Sequence, residues 1–286
     1  MPQYALIATA PELTRSHIGA LSDVLPEVSQ TASSTLANDK AYQWHLKCSG
    51  HEASAILTTA RAALSGEPVD INLLPANSNR RKRLLIADMD STIIQQECID
   101  EIADFAGHGQ AVAAITERAM RGELDFEEAL TTRLVLLEGL DVATLERVIT
   151  ERITLTPGAI PLIATMKANG AHCALVSGGF TFFTDRIAKT VGFDENHANT
   201  LEIANGRLTG RAIPPILGRQ AKLDALKSLI SASALPETAT LAVGDGANDL
   251  AMIKAAGLGV AFHAKPVVAA EAGAQINHCD LTALLY

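Results

Sequence analysis

The stretch LLIADMDST, residues 84–92, runs four apolar residues into two aspartates, Asp88 and Asp90, with one residue between them. An unpaired carboxylate beside a core is costly, and two close together repel, so the pair calls for a cation or a reaction. Asp245, in VGDGANDLAM (243–252), brings a third carboxylate after another apolar run. Hard oxygen donors of this kind suit magnesium, which keeps some waters and shares its coordination with a substrate phosphate. The chemistry that follows is phosphoryl transfer. Asp88 is placed as the nucleophile. Asp90 is placed to protonate the leaving oxygen and then to take a proton from water. Ser177 and Gly178 of VSGG (176–179) offer phosphate a hydroxyl and a closely approachable backbone N–H. Lys222 supplies a compact cation, and Asn248 and Asp249 open the helix after the glycine turn, placed to orient the metal shell, Lys222 or the substrate. Taken singly, each has a bland explanation: a cap, a turn, a surface lysine. Their order along the chain, with Asp88, Ser177 and Asp245 directly after strands, points to one site.

The elements that position these residues follow from apolar patterning. Strands at Leu84–Ala87, His172–Val176, Thr240–Val243, Gly259–Phe262 and Ala274–Asn277 alternate with helices, the pattern of a doubly wound parallel α/β sheet. In such sheets ligands bind beyond the carboxyl ends of the strands. Thr156-Pro157 and Gly170 bracket one crossover helix, and Asn205-Gly206 marks a two-residue hairpin. Between the first two strands the periodicity predicts helices at Gln95–Ala106, Gln110–Arg121, Phe126–Leu137 and Val142–Arg152, a helical insertion over about 95–155 placed as a lid. Asp125 and Glu128 form a D-x-x-E capping signal for the third, which sets Phe126 and Arg133 on nearly one face.

Residues 1–76 read as a separate, small α+β domain. Strands at Tyr4–Thr9, Gln30–Leu36, Ala41–Lys47 and Val69–Leu74 and helices at Pro11–Leu25 and His51–Leu64 give a ferredoxin-like, ACT-like element order. Residues 77–83 read as a linker to the larger domain at 84–286, and its basic run Arg80–Arg83 as a solvated stretch, since no aromatic residue interleaves with it.

The 286 residues are 48% hydrophobic and 19% charged, which supports a packed core, and the formal charge of −9 argues against nucleic acid or an anionic membrane as partner. No apolar run reaches the length of a membrane span, and MPQYALIATAPE lacks the pattern of a signal peptide. The four cysteines form no CxxC pair and read as reduced thiols of a cytoplasmic protein. Cys98, near the acidic motif, has no identifiable histidine partner and is not read as a nucleophile.

DMDST, VSGG, Lys222 and GDGAND together resemble the four motifs of the haloacid dehalogenase-like phosphohydrolases, most closely the phosphoserine phosphatases, over residues 84–286 with the helical cap after the first motif. The resemblance implies Asp88 as nucleophile and Asp90 as acid/base. It implies magnesium held by Asp88, Asp245 and the carbonyl oxygen of Asp90. It assigns substrate contacts to Glu97, Phe126, Arg133, Ser177, Gly178, Lys222 and Asn248. The implied substrate is O-phospho-L-serine, hydrolysed through an aspartyl phosphate as the last step of serine biosynthesis. Arg133 then presents a planar fork to its carboxylate and Glu97 a negative partner to its ammonium. Phe126 either shields the closed site or belongs to the cap core. The same motifs also fit a phosphotransferase, a phosphatase for another small phosphomonoester or, more remotely, a regulator that binds phosphate or metal without turnover. The N-terminal domain fits packing, homodimer formation or amino-acid sensing, although ATAPELT lacks the glycine of an effector loop.

Overall fold

A computed structural model describes residues 2–26, 30–76, 80–120 and 123–286. Part of the expected linker, 77–79, and Arg121 at the end of one expected helix lie outside the described residues. The chain opens with β1 (Gln3–Thr9), α1 (Arg15–Val24), β2 (Gln30–Ala37), β3 (Ala41–Lys47), α2 (Gly50–Ala63) and β4 (Asp70–Pro75). The strands form an antiparallel sheet in the order β2-β3-β1-β4, the split βαβ topology of ferredoxin-like folds. Leu6, Trp44, Leu46 and Ile71 of the sheet pack with Leu21, Ala53 and Ile56 of the helices. Helix α1 starts later than the periodicity suggests. Thr14 caps it by accepting from the His17 N–H, while the His17 ring accepts from the Thr14 N–H, which leaves Pro11–Leu13 outside the helix.

The rest of the chain is organised by a second sheet of seven strands: β5 (Leu84–Ala87), β6 (His172–Phe180), β7 (Glu195–Ala204), β8 (Arg207–Ile213), β9 (Thr240–Gly244), β10 (Leu258–Phe262) and β11 (Ala274–Ile276). Their order is β11-β10-β9-β5-β6-β7-β8, parallel throughout except for the β7–β8 hairpin. That hairpin turns at Asn205 and Gly206, both with positive φ (52° and 74°), as a type I′ turn requires. The chain leaves β5 toward β6 on one side and later returns to β9 on the other. The gap between β5 and β9 is therefore the topological switch point where such sheets bind ligands.

Four helices fill the interval between β5 and β6 before the crossover helix: α3 (Cys98–Phe105), α4 (Gly109–Met120), α5 (Phe126–Val135) and α6 (Ala143–Glu151). The crossover is α7 (Ala159–Ala168), and α8 (Thr181–Val191), α9 (Arg219–Ser233), α10 (Leu250–Ala255) and α11 (Pro266–Ala269) complete the layers. Helix α3 begins at Cys98 rather than Gln95. The Gln95 N–H donates to the Thr154 carbonyl, and the Gln96 side chain donates to the Thr154 hydroxyl and accepts from the Thr154 N–H. The chain entering the insertion is thus tied to the chain leaving it, in a short extended neck.

The basic run before β5 is less solvated than its composition suggests. Arg80 donates to Gln43 Oε1 and to the Tyr286 carbonyl, and Lys82 donates to the Thr238 carbonyl. Nearby, the buried Asp70 carboxylate accepts the N–H groups of Asn277, His278 and Cys279, and Asn72 exchanges two hydrogen bonds with the backbone of Gln275. These bonds dock β4 of the small sheet against β11 of the large one. All four cysteines are buried and free. Burial first, then the charge of Asp90, raises the Cys98 thiol well above its usual range, which makes it a poor nucleophile. Among the described residues no helix is long and apolar enough to cross a membrane.

Candidate active site

Asp88 directly follows β5 and Asp245 directly follows β9, and these strands are paired in parallel, so both carboxylates arrive at the switch-point crevice. The ladder continues one step further, with the Asp88 N–H donating to the Val243 carbonyl. Asp88 Oδ1 accepts from the Met89 N–H at 2.7 Å and pairs with Lys222 Nζ at 2.7 Å. Among the described residues no donor reaches Oδ2. One oxygen is anchored and the other is free, as a nucleophile requires.

Lys222 is 1% exposed and lies behind the carboxylates rather than in the cavity wall. Its Nζ also meets Asp249 Oδ1 at 2.6 Å, and Asp249 Oδ2 accepts the Gly246 N–H at 3.1 Å. The glycine turn is needed to bring Asp249 this far in: a Cβ on Gly244 would stand 2.4 Å from the Asp249 carboxyl carbon. Carboxylate oxygens of Asp88, Asp245 and Asp249 lie within 4.8 Å of one another. Three buried carboxylates face a single ammonium there. Burial, then the charge of Asp249, pushes Asp88 well above the usual carboxylate range and Asp245 up to about 7. Burial works to lower Lys222, but the charges of Asp249 and Asp88 outweigh it and hold the ammonium. An acidic cluster in this electrostatic condition, built from hard oxygens, fits a divalent cation that would balance the charge excess.

Asp90 occupies a different place. Its Oδ1 accepts the Cys98 N–H at 2.8 Å, at the start of α3, and its Oδ2 accepts the Ser177 hydroxyl at 3.0 Å. The side chain therefore bridges the helical insertion and the end of β6. Ser91 holds the turn between Asp88 and Glu97 in a left-handed conformation (φ 54°), secured by its hydroxyl on Glu97 Oε1 at 2.6 Å and its N–H on the Gln96 carbonyl. Burial, then the charge of Asp90, raises Glu97 well above its ordinary range. Glu97 sits at the N-cap position of α3 rather than inside a helix, which follows from the late start of that helix.

The VSGG segment extends β6 instead of forming a free turn. Pairing with β7 is interrupted after Val176 and resumes at Phe180, so Ser177–Gly179 make an irregular bulge. The Ser177 hydroxyl accepts the Gly179 N–H and spends its proton on Asp90. Phe126 lies on this segment: a Cβ on Gly178 would stand 2.8 Å from its Cζ, and one on Gly218 would stand 3.2 Å from its Cδ1. The insertion is thus seated on the sheet through Phe126, the first residue of the helix that the Asp125 cap starts.

A cavity between sheet and insertion is lined by Asp88, Asp90, Glu97, Phe126, Arg133, Ser177, Gly178, Asp245 and Asn248. Of the expected site residues, only Lys222 and Asp249 lie outside its wall, directly beneath Asp88. Arg133 is 6% exposed, a buried guanidinium whose Nε donates to the Ala129 carbonyl and whose Nη1 donates to Thr116. Ion-pair partners for it are absent among the described residues. Three residues of the setting escaped sequence reasoning. Thr116 and Arg219 also line the cavity, and buried Asn199 binds the carbonyls of Gly178 and Leu217 and the Leu217 N–H. Thr116 interrupts the buried face of α4 one turn after Val112, and Asn199 is an amide inside a strand, but neither irregularity by itself points to the cavity.

Comparison with known proteins agrees with this geometry. The haloacid dehalogenase-like hydrolase family model matches residues 85–254. Phosphoserine phosphatase of Streptomyces coelicolor is 46% identical over 239 residues, 83% of this chain; the chain spans 58% of the length of that curated relative. A HAD family hydrolase of Salmonella enterica serovar Typhi superposes with a TM-score of 0.88 at 31% identity, over 99% of this chain and 97% of that one. A phospho-aspartyl intermediate analogue of phosphoserine phosphatase superposes with a TM-score of 0.69 at 41% identity, over 71% of this chain and 97% of that one. By its sequence, its parallel sheet and the acidic group at its switch point, the chain belongs to the haloacid dehalogenase-like hydrolases.

Proposed function

We propose that the protein is a magnesium-dependent phosphatase that hydrolyses O-phospho-L-serine to L-serine and phosphate, working on a small molecule in the cytoplasm as the last step of serine biosynthesis. The observation that carries this reading is the pairing of two unlike walls in one cavity. The acidic floor of Asp88 and Asp245 shares its cavity with the Glu97 carboxyl and with a buried Arg133 that, among the described residues, bonds only neutral oxygens. The names of the similar proteins support it: phosphoserine phosphatases recur among the relatives, and one similar structure is of a substrate-bound complex.

In this reading Asp88 Oδ2 attacks phosphorus while Met89 and Lys222 hold Oδ1. Magnesium, held by Asp88, Asp245 and the Asp90 carbonyl, would neutralise phosphate charge and orient the group in line. Asp90 gives its proton to the serine oxygen as it leaves, then takes one from the water that opens the aspartyl phosphate. The Ser177 hydroxyl fixes the Asp90 carboxyl and, with the Gly178 N–H, lines the phosphate position. Lys222 favours the ionised form of Asp88 against its other neighbours, Asp249 holds Lys222, and Asn248 faces the substrate from the start of the next helix. Arg133 takes the substrate carboxylate and Glu97 its ammonium, and Phe126 closes the wall over them. We further read residues 1–76 as a separate domain joined by 77–83, with 95–155 as the cap of the catalytic domain.

The test is turnover of the full chain on phosphoserine with magnesium, with and without a chelator. Phosphate release that a chelator abolishes and magnesium restores supports the reading. Transfer of the phosphate to an alcohol in preference to water, or no release at all, overturns it.

A further inference from the structure

Arg133 does not find its orientation alone. It projects from α5, and its Nη1 donates to Thr116 Oγ1 on α4 at 2.9 Å. Thr116 in turn donates to Asp100 Oδ1 on α3 at 2.7 Å, with the Val112 carbonyl a second acceptor at 3.1 Å. A hydroxyl has one proton to give and two lone pairs to receive. Accepting from a guanidinium while donating to a carboxylate uses Thr116 in a fixed sense. The Nε donates to the Ala129 carbonyl at 3.1 Å, so two of the three guanidinium nitrogens are held by the protein. Of its five N–H groups three remain, enough for a bidentate contact with a carboxylate. Thr116 is buried and lines the cavity, whereas Asp100 is not part of the wall. Burial raises the Asp100 carboxyl, and Thr116 and then Arg133 work against the rise.

Resting on the phosphoserine reading above, we infer that the Asp100–Thr116 pair is a positioning device that aims Arg133 at the substrate carboxylate, joining three cap helices so that preference for amino-acid phosphates depends on their alignment. A guanidinium free to swing would spend orientational freedom on every binding event. With Thr116 and Asp100 in place, that ordering is done on folding. Neither residue touches the reacting atoms. Both act through Arg133.

The experiment compares O-phosphoserine with O-phosphoethanolamine, which differ by the carboxylate alone, using the magnesium-loaded full chain. Thr116→Val keeps the shape and removes the hydroxyl. It should lower the ratio of kcat/KM between the two substrates about tenfold, mainly through KM for phosphoserine. Thr116→Ser should recover the ratio to within about threefold of the original, because it restores the hydroxyl. Should the valine variant fold poorly, Asp100→Ala gives the second reading. It frees the Thr116 hydroxyl to turn to Val112 and should lower the ratio about threefold. A ratio that moves less than about twofold in both variants, or a serine variant no better than valine, overturns the inference. If Arg133→Ala itself leaves the ratio untouched, the substrate reading has failed instead. If Arg133→Ala removes the preference while Thr116→Val and Asp100→Ala preserve it, only the positioning role has failed.

Discussion

The floor of the cavity and its cap wall handle charge in opposite ways. On the floor, Asp88, Asp245 and Asp249 crowd around one lysine, and burial leaves the carboxylates short of cations. In the cap, the buried Arg133 bonds only neutral oxygens, the Ala129 carbonyl and the Thr116 hydroxyl, so its positive charge stays available to a ligand, while Glu97 accepts from the Ser91 hydroxyl. The floor is set by strand ends and backbone N–H groups, which do not change from one phosphate ester to another. The cap is set by side chains on three short helices. On the proposed function the difference divides chemistry from selectivity between two parts of the fold, and predicts that substitutions in them should separate cleanly.

The sharpest break is expected at the floor. Asp88→Asn keeps the shape but removes the nucleophile, and phosphate release should fall more than about 10³-fold with every substrate tested. Near-normal turnover would remove Asp88 from the chemistry. Lys222→Met leaves Asp88 and Asp249 without a buried cation. Activity should drop at least about 100-fold, and denaturant unfolding should show a loss of roughly 3 kcal/mol or more, the scale of a broken buried ion pair. Unchanged stability would mean that the lysine does not hold the floor together.

Arg133→Ala should act on the other side of the comparison. Its kcat/KM for phosphoserine should fall about 100-fold, with a much smaller change for phosphoethanolamine. Equal losses on both would end the division between chemistry and selectivity. Phe126→Ala removes the ring seated on Gly178 and Gly218 and should cost both substrates a similar factor, about threefold to tenfold. A loss confined to phosphoserine would make Phe126 a selectivity residue instead.

The smallest effect sharpens the electrostatics. Without metal, Asp245 titrates near about 7, against about 3.9 for an aspartate in an unfolded chain. Across that window the fold retains a proton that the unfolded chain has released, so metal-free stability falls as pH rises and this contribution levels off above about 7. Asp88, shifted the same way, adds to the slope. Magnesium competes with those protons, so the rise in Tm it produces should grow from about pH 5 to about 7. A pH-independent rise would contradict the placement of the ion among these carboxylates.

Much of the floor is readable from the amino-acid sequence, because each of its motifs ends an apolar run whose direction the parallel sheet then fixes. Leu84–Ala87 and Ala41–Lys47 form as strands at the expected bounds, and the Asn205-Gly206 turn follows from its two residues alone. The boundaries that move do so for tertiary reasons. Gln95 and Gln96 leave their helical register to bind Thr154, and Ser177–Gly179 stay in a strand because β7 pairs again at Phe180. Lys222 reads as a cation for the phosphate, but its partners on Asp88 and Asp249 emerge only when α9 and α10 meet under β5. Thr116 and Asn199 were hidden for a similar reason. Each is an ordinary polar residue until distant segments supply its bonds.

Rapid acid quenching of the magnesium-loaded chain with phosphate-labelled phosphoserine tests the nucleophile most directly. The label should be found on the peptide carrying Asp88, in hydroxylamine-sensitive linkage, before free phosphate accumulates. Label on a different residue, or free phosphate appearing with no labelled protein under conditions that preserve acyl phosphates, would contradict attack by Asp88.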